Sequence, residues 1–271
     1  MKSSLEQYLI DYLMEVNNIE EKLYLAEPLA IRALMNITVD TDLTDEFYEK
    51  QDEYLKELLD SEEVISSKKI KPLDNKLCLY QGDITLIKAD VLVNPANYTL
   101  IGSTEPLHDS IDSQIHSFAG LQLRRDCKKI ISRLNREINP GECFVTKGYN
   151  LPVKYIIHAL GPVVNNESNI NELQEVIKLC YKNCLEIADG YNCKSIVIPP
   201  ISTEEFGYPT DLQAITAYKA VSEYLEKTKD SDLEKIIFCV NNYYEYDLYN
   251  SVIKNKGKLN NFSINKSFKI K

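Results

Sequence analysis

The sequence predicts an α/β fold in which a largely parallel β-sheet lies between layers of helices. Apolar runs of strand length alternate with segments of helical periodicity, which is the order typical of such sheets. Runs such as SIVIP and KIIFCV are apolar on both faces, as expected of strands that are covered on both sides. The chain has 271 residues, 44% of them hydrophobic, which is enough for one sizeable core and one smaller appended unit.

The alternating segments give an explicit set of elements. The predicted strands are residues 77–80, 91–94, 143–146, 154–159, 195–198 and 235–240. The predicted helices have apolar residues three and four positions apart and are residues 111–119, 121–134, 173–188 and 212–225. Ligands of such sheets bind in the loops at the carboxyl ends of the strands.

Two further amphipathic helices are predicted before the sheet. LEQYLIDYLMEV follows Ser3 or Ser4 as its N-cap, and FYEKQDEYLKELL follows Thr44. The polar stretch that follows is broken at Pro72, where we place a domain boundary. The expected organisation is a helical extension (1–70), a core domain (71–253) and a basic tail (254–271).

Composition excludes several classes of function. A net charge of −10 disfavours nucleic-acid binding by the folded part, because that part should repel phosphates. The lysines and asparagines of residues 254–271 are typical of a solvated, mobile end. No apolar run approaches the roughly 18 residues of a membrane span. The seven cysteines include no Cys-x-x-Cys pair, so we expect reduced cysteines in a cytoplasmic protein.

Polar and small residues follow several predicted strands. These clusters are Gly82-Asp83-Ile84, Asn94-Pro95-Ala96-Asn97, Gly102-Ser103, and Ile201-Ser202-Thr203 leading to Phe206-Gly207. Glycine lets backbone amides approach a phosphate, and the carboxylate of Asp83 can accept a hydrogen bond from an exocyclic amine. Alternatively, Asp83 caps a turn and Asn97 forms an Asx-turn. No GxGxxG or GxxxxGK[ST] phosphate motif is present.

The ordered segments LYQGDITLIKADVLVNPAN, IDSQIHSFAGLQLRRDC, NPGECFVTKGYNLPVKYIIHALGP and SIVIPPISTEEFGYP resemble the macrodomain family across residues 76–253. IRALMNI and LTDEFYEKQDEYLKELL also resemble the helical extension of bacterial zinc-dependent protein-ADP-ribosyl hydrolases. The resemblance implies a three-layer α/β/α macrodomain with a mixed, largely parallel sheet. It also implies recognition of ADP-ribose or an ADP-ribosylated protein, and hydrolysis of the protein-ADP-ribosyl bond.

The resemblance assigns roles to the polar clusters. Asp83 would contact the adenine amino group, assisted by the backbone of Ile84, and Asn97 would contact the distal ribose. Tyr243 or Tyr244 would replace an aromatic residue that stacks on adenine. The two ligand loops would contain Gly102 and Ser103 in the first, and Ser202, Thr203, Phe206 and Gly207 around the pyrophosphate in the second.

The sequence departs from the zinc-dependent subgroup at the metal ligands. The positions of its Cys, His and Cys ligands are Ser103, His108 and Ser110 here, so only the histidine remains. A serine hydroxyl competes poorly for zinc, and we therefore expect no metal. Glu105, Asp109 and Asp112 are near in sequence, but their spacing matches no metal motif.

Four other residues with metal-binding side chains are interpreted as packing residues. His116 is expected to pack on a helix face, and His158 to be a hydrogen-bonded core histidine. Cys180 and Cys184 lie four residues apart on a predicted helix, and they lack the further ligands of a closed zinc site.

Glu204 and Glu205 are a second departure, because the family has small residues in this phosphate loop. A carboxylate about 4 Å from a phosphate costs on the order of 4 kcal/mol at an effective dielectric constant near 20. The penalty is much smaller if both side chains turn toward water.

Three functions therefore remain open. The first is a metal-free hydrolase in which Asn97 orients the ribose, with Asp109 and Asp112 as the nearest acidic groups. The second is a non-catalytic ADP-ribose reader or sensor, and the third is a degenerate scaffold whose phosphate site is closed by Glu204 and Glu205. The resemblance also implies a sirtuin-class transferase or a lipoylated carrier protein as partners.

Overall fold

The computed structural model describes residues 4–21, 23–165, 168–203 and 206–258. The helices are α1 (Leu5–Val16), α2 (Glu27–Ile37), α3 (Asp45–Ser61), α4 (Ile111–Ala119), α5 (Leu121–Leu134), α6 (Ile170–Gly190), α7 (Thr210–Lys227) and α8 (Tyr243–Lys254). The strands are β1 (Ile65–Ser66), β2 (Pro72–Asp74), β3 (Leu77–Gln81), β4 (Ile87–Pro95), β5 (Cys143–Lys147), β6 (Val153–Ala159), β7 (Ser195–Ile198) and β8 (Lys235–Val240). All six predicted strands and all four predicted core helices are confirmed.

The strands form one mixed sheet in the order β2-β3-β8-β7-β4-β6-β5, and β1 pairs separately with β4. The β3, β8, β7, β4 and β6 strands are parallel, whereas β2 and β5 are antiparallel to their neighbours. The prediction of a mixed, largely parallel sheet is therefore confirmed. Because β4 and β7 are parallel neighbours, the loops at their carboxyl ends meet at one edge of the sheet.

Helices cover both faces of the sheet. Along β7, Ile196 and Ile198 point into the cluster formed with α6, α7 and α8, whereas Val197 points into the cluster formed with α4 and α5. This alternation follows from the two-residue period of a strand. Each fully buried residue of this kind contributes roughly 1.5–3 kcal/mol relative to an exposed one. The structure thus has the three layers that the sequence predicts.

The extension forms a third, smaller core that is continuous with the domain. Leu9, Leu34 and Phe47 from its three helices pack together with Leu121, the first residue of α5. The predicted caps are present. Ser4 Oγ accepts from the Gln7 N–H at 3.2 Å, and Thr44 Oγ1 accepts from the Phe47 N–H at 3.2 Å.

Sequence patterns did not predict α2, α8, β1 or β2. The α2 helix has no side-chain N-cap, since Ala26 occupies that position. The α8 helix is rich in tyrosine, a modest helix former, and its start is fixed instead by Asn242 Oδ1, which accepts from the Glu245 N–H at 2.9 Å.

The structure also bears on the ends of the predicted domain. The sheet begins at β1, before the boundary placed near residue 70. The first residues of the predicted tail pack on the domain, where Lys256 Nζ lies 2.6 Å from Asp74 Oδ1. The remaining tail residues, 259–271, lie outside the described residues. Over the described ranges, no helix is long and apolar enough to span a bilayer.

Candidate active site

An open cavity of about 740 Å³, including its mouth, lies at the carboxyl ends of β4 and β7 and beside the start of α4. It brings together two segments that are far apart in sequence, namely the connection from β4 into the first turn of α4 and the loop that follows β7. The lining residues are Pro95, Asn97, Ser103, Glu105, His108, Ser110, Ile111, Asp112, Pro200, Ser202, Thr203 and Phe206. The predicted residues Asn97, Ser103, Asp112, Ser202, Thr203 and Phe206 therefore share one cavity.

Asn97 closes the loop that follows β4. Its Nδ2 donates to the Gly102 carbonyl at 3.0 Å, and its Oδ1 accepts from the backbone N–H and the hydroxyl of Thr99 at 3.0 and 2.6 Å. The Asx-turn considered from the sequence is thus present, and Asn97 also lines the cavity.

Gly102 allows this loop to lie directly on α4. Its φ of +75° is in the left-handed region, and a Cβ here would lie 2.8 Å from Cγ and Cδ2 of His116. The pKa of His116 is well below 6.5, mainly because the ring is buried and to a smaller extent because His158 and Arg124 are near. His116 is therefore neutral and supports the loop by packing, which confirms its predicted role.

Asp112 is the carboxylate at the floor of the cavity. Asp112 lies in the first turn of α4, where the helix dipole favours a negative charge. The residue is buried, with only 7% of its surface exposed. Its Oδ1 accepts from Asn94 Nδ2 at 2.7 Å and lies 3.5 Å from His116 Nε2.

A buried network extends from Asp112 into the sheet. Asn94 Nδ2 lies 3.1 Å from His158 Nδ1, and His158 Nε2 lies 3.0 Å from Thr146 Oγ1. Burial lowers the pKa of His158 to about 3, so the ring is neutral. The Asp112 carboxylate requires the amide nitrogen of Asn94 to face it, so Nδ1 of His158 must accept and Nε2 must carry the proton. The prediction of a hydrogen-bonded core histidine is confirmed.

The second loop contributes a buried hydroxyl. Ser202 has a φ of +63°, is 2% exposed, and its Oγ has no hydrogen-bond partner among the described residues. Gly161 leaves space for this side chain, because a Cβ at position 161 would lie 1.8 Å from Ser202 Oγ. The loop continues through Gly207, which has a φ of +75°. Glu204 and Glu205 lie outside the described residues.

The residues expected to contact adenine lie elsewhere on the same sheet edge. Asp83 Oδ1 accepts from the backbone N–H and the hydroxyl of Thr85 at 2.8 and 2.6 Å, and so caps a 3-10 turn. Asp83 lines a second, more apolar cavity of about 560 Å³ with α3 and Phe118, whereas Ile84 is buried. Tyr243 is 70% exposed in the first turn of α8, just after β8, whose Val240 carbonyl accepts from the Gly82 N–H.

The residues at the zinc-ligand positions do not form a suitable donor set. Ser103 Oγ accepts from the Glu105 N–H at 3.1 Å, and Ser110 Oγ accepts from the Ser113 N–H at 3.2 Å, where it caps α4. His108 Nδ1 lies 3.3 Å from Glu105 Oε2. Two hydroxyls engaged with backbone amides offer zinc no anionic ligand.

Asp109, which we predicted as an acidic catalytic candidate, does not line the cavity. Its exposed carboxylate accepts from Gln114 Nε2 at 2.9 Å. It follows His108 immediately, but the turn into α4 directs its side chain to the neighbouring helix surface.

A trio of buried side chains, His116, Cys127 and His158, has ligand atoms within 4.8 Å of one another. Burial, followed by the nearby Asp112 and Asp126, raises the pKa of the Cys127 thiol, so the thiol is protonated. His158 Nε2 is also engaged with Thr146. We therefore interpret the trio as packing beneath the cavity. Cys180 and Cys184 are likewise fully buried in the opposite core, as predicted.

Sequence reasoning missed the residues that support the cavity. Asn94 was noted only as part of a polar cluster, and Arg124 and Asn36 were not singled out. Their contacts join segments 18 to 89 positions apart, so no local pattern reveals them. A signal was nevertheless present, because Asn94 is a polar residue at the end of an otherwise apolar strand.

Comparison with known proteins agrees with this geometry. The Macro domain family matches residues 93–217. A protein-ADP-ribose hydrolase of Staphylococcus aureus (strain MSSA476) is 36% identical over 219 residues, covering 80% of this chain and 81% of that protein. One of Treponema medium is 31% identical over 255 residues, covering 91% and 97%. A solved Oceanobacillus iheyensis macrodomain with ADP is 29% identical with a TM-score of 0.60, covering 69% of this chain and 94% of that one. The chain therefore belongs to the macrodomain family.

Proposed function

We propose that this protein binds ADP-ribose and ADP-ribosylated proteins in the cavity beside α4, and that it hydrolyses the protein-ADP-ribosyl bond. The observation that carries the proposal is that Asn97, Asp112 and Ser202 line one cavity at the carboxyl ends of β4 and β7. The relatives in Staphylococcus aureus and Treponema medium are named protein-ADP-ribose hydrolases, which supports the same activity.

The cavity offers suitable contacts for the ligand. The Ser202 hydroxyl, which has no hydrogen-bond partner within the described part of the chain, can donate to an anionic oxygen. The glycine-containing loops allow backbone amides to approach a pyrophosphate. Asn97 would orient the distal ribose. Asp83 and Tyr243 are proposed to contact adenine at the adjacent end of the sheet edge. A preformed pocket of this kind tolerates the acidic character of the whole chain.

Catalysis would use Asp112. Its carboxylate polarises a water molecule that attacks the anomeric carbon of the distal ribose, and the bond from that carbon to the acceptor side chain breaks. The water's proton passes to the carboxylate and then to the leaving side chain, which releases free ADP-ribose and an unmodified protein. Holding the water molecule and the ribose in a reactive orientation would contribute much of the rate enhancement.

The proposed reaction is metal-free, because Ser103 and Ser110 replace two of the three ligands of the zinc-dependent subgroup. This replacement favours one alternative, a reader that binds ADP-ribose without turnover. The two functions differ in a single measurable property, the release of ADP-ribose from a modified protein.

The decisive experiment measures that release with the wild-type chain, with Asp112→Asn and with Asp109→Asn, each with and without added zinc. We expect hydrolysis independent of zinc, a loss of about 10²- to 10⁴-fold in Asp112→Asn, and near wild-type rates in Asp109→Asn. Calorimetric binding of ADP-ribose without release by any protein would instead establish the reader. Absence of both binding and release would leave only the scaffold.

The proposal extends to the cellular setting. All seven cysteines are free thiols, which fits the reducing cytoplasm. A sirtuin-class transferase and a lipoylated carrier protein are proposed partners, to be tested by co-purification with the wild-type chain and with Asp112→Asn.

A further inference from the structure

The cavity wall formed by residues 101–108, here called the rim segment, is bound by the N-terminal extension. The rim segment contributes Ser103, Glu105 and His108 to the cavity lining. It contains little regular structure, and Leu107 adopts a φ of +57°, a conformation that a leucine rarely takes without external support. Within the segment, the His108 N–H donates to the Glu105 carbonyl at 3.3 Å across this turn, and further support comes from outside the segment.

Asn36, in the last turn of α2, supplies one such support. Its Oδ1 accepts from the Leu107 N–H at 3.1 Å, and its Nδ2 donates to Ser117 Oγ at 3.0 Å on α4. The side chain is 1% exposed, so these contacts are shielded from water. Arg32, one turn earlier on α2, donates through Nη2 to the His108 carbonyl at 3.2 Å. Two residues of α2 thus bind the backbone of the adjacent residues Leu107 and His108, at the C-terminal end of the rim segment.

Arg124 of α5 supplies a second support from below. Its guanidinium donates to the Ile101 carbonyl at 2.7 Å and to the Ser103 carbonyl at 3.0 Å. The same group donates through Nη1 to the carbonyls of Met35, Asn36 and Thr38 at 3.0, 2.8 and 2.6 Å.

These last three carbonyls lie at the C-terminal end of α2, where the helix dipole is negative and carbonyls lack helical partners. Arg124 is 2% exposed, and burial lowers its pKa to about 10, so it remains charged at neutral pH. The negative C-terminal end of α2 therefore stabilises the buried positive charge of Arg124, and the same guanidinium binds the rim segment.

We propose that α2 is a structural part of the ADP-ribosyl pocket, and that Asn36 and Arg124 are positioning residues that fix the rim segment in its ligand-binding conformation. The inference rests on the proposed function for the identity of the ligand only. The dependence of the rim segment on α2 stands on the contacts themselves. In this arrangement a molecule without α2 has a mobile cavity wall.

The test compares Asn36→Ala with a matched control, Gln51→Ala. Gln51 is also a fully buried amide of the extension, and its Oε1 accepts from a domain backbone N–H, that of Leu121, at 2.8 Å. The side-chain hydrogen bonds of Gln51 within the described ranges go to Asp52, Gln122 and Leu121, and none goes to the rim segment. Hydrogen exchange of peptides covering residues 101–108, thermal unfolding and calorimetric titration with ADP-ribose are measured for both variants, and for Arg124→Lys as a second probe.

We expect Asn36→Ala to speed exchange in the rim segment about tenfold or more and to weaken ADP-ribose binding about tenfold. Arg124→Lys should act in the same direction, because a lysine cannot bind both sets of carbonyls. Gln51→Ala should lower the unfolding temperature, but it should change neither the hydrogen exchange of the rim segment nor the affinity for ADP-ribose. Unchanged exchange in Asn36→Ala, or equal effects of Gln51→Ala, would overturn the inference. If the wild-type protein binds no ADP-ribose, the proposed function fails, and the exchange comparison still decides the role of α2.

Discussion

Asn94 donates a hydrogen bond of 2.7 Å to the Asp112 carboxylate, and so connects the cavity floor to the buried ring of His158. Both hydrogens of the Asn94 amide are used, one by Asp112 and one by His158. The carboxylate therefore has a fixed orientation, which a catalytic group needs and which a freely solvated aspartate lacks.

Replacing Asn94 with leucine should lower kcat about 10- to 100-fold with little change in KM, because the shape is similar but the anchor of Asp112 is lost. Asn94→Asp should in addition move the acid limb of the pH-rate profile to higher pH, since a second carboxylate would face Asp112. Thr146→Val, at the far end of the network, is the control and should change kcat less. Equal kcat values in all three variants would show that the network does not orient Asp112.

Gly102→Val should destabilise the protein by about 1–3 kcal/mol and weaken ADP-ribose binding. The new Cβ would lie 2.8 Å from the His116 ring, at a φ of +75° that valine strongly disfavours. Gly190→Ala is the matched control, since no atom lies within 4 Å of its added Cβ. Urea unfolding and calorimetric titration measure the two effects, and wild-type behaviour of Gly102→Val would contradict this packing of the loop on α4.

Ser202→Ala should leave the protein as stable as the wild type or about 1 kcal/mol more stable, because it removes a buried hydroxyl that has no partner among the described residues. ADP-ribose affinity should fall about 3- to 10-fold if this hydroxyl binds the ligand. Ser110→Ala should instead lose about 1 kcal/mol, because Ser110 caps α4. A Ser202→Ala protein with unchanged affinity would remove Ser202 from the binding residues.

Asp83→Asn separates the two roles of Asp83. The asparagine keeps an oxygen for the cap on Thr85, so the free energy of unfolding should change by less than about 0.5 kcal/mol. Its amide group would present a donor to the adenine amino group, and affinity should fall about tenfold. If ADP-ribose binds both proteins equally, Asp83 is a cap and nothing more.

Stability should fall as the pH drops below about 6.5, through two buried histidines. Burial lowers the pKa of His158 to about 3 and that of His116 well below 6.5, so both are neutral in the folded state and become protonated only on unfolding. Because the unfolded state binds more protons, stability rises with pH in this window, by about 1.4 kcal/mol per pH unit for each histidine. Urea midpoints from about pH 7 to 5 measure the slope. His158→Gln should reduce the slope of unfolding free energy against pH by the contribution of one histidine. An unchanged slope would argue against a neutral His158.

The sheet and its helices are predictable from the sequence because their signals are local. The β7 and β8 strands are apolar on both faces, and α4 to α7 have regular helical periods. The α2 helix lacks a capping side chain and α8 is tyrosine-rich, so their stability comes from tertiary packing that the sequence pattern does not contain.

The site was predictable only where residues follow strands. Asn97, Ser103 and Ser202 follow strands and converge on the cavity, as expected for a parallel sheet. Asp109 and Asp112 are indistinguishable from sequence, yet the first turn of α4 turns only Asp112 inward. The contact of Arg124 with Met35 spans 89 positions and depends on how the extension packs.

The buried Arg124 also limits how the protein can be shortened. A fragment that begins near residue 71 would retain the guanidinium in α5 but lose the three α2 carbonyls that solvate it. Such a fragment would contain every strand of the sheet except β1, and yet it would expose the Arg124 guanidinium and the apolar start of α5 to water. We therefore expect the shortest fragment that folds with an intact cavity to include α2, and we expect the helical extension and the core domain to unfold together.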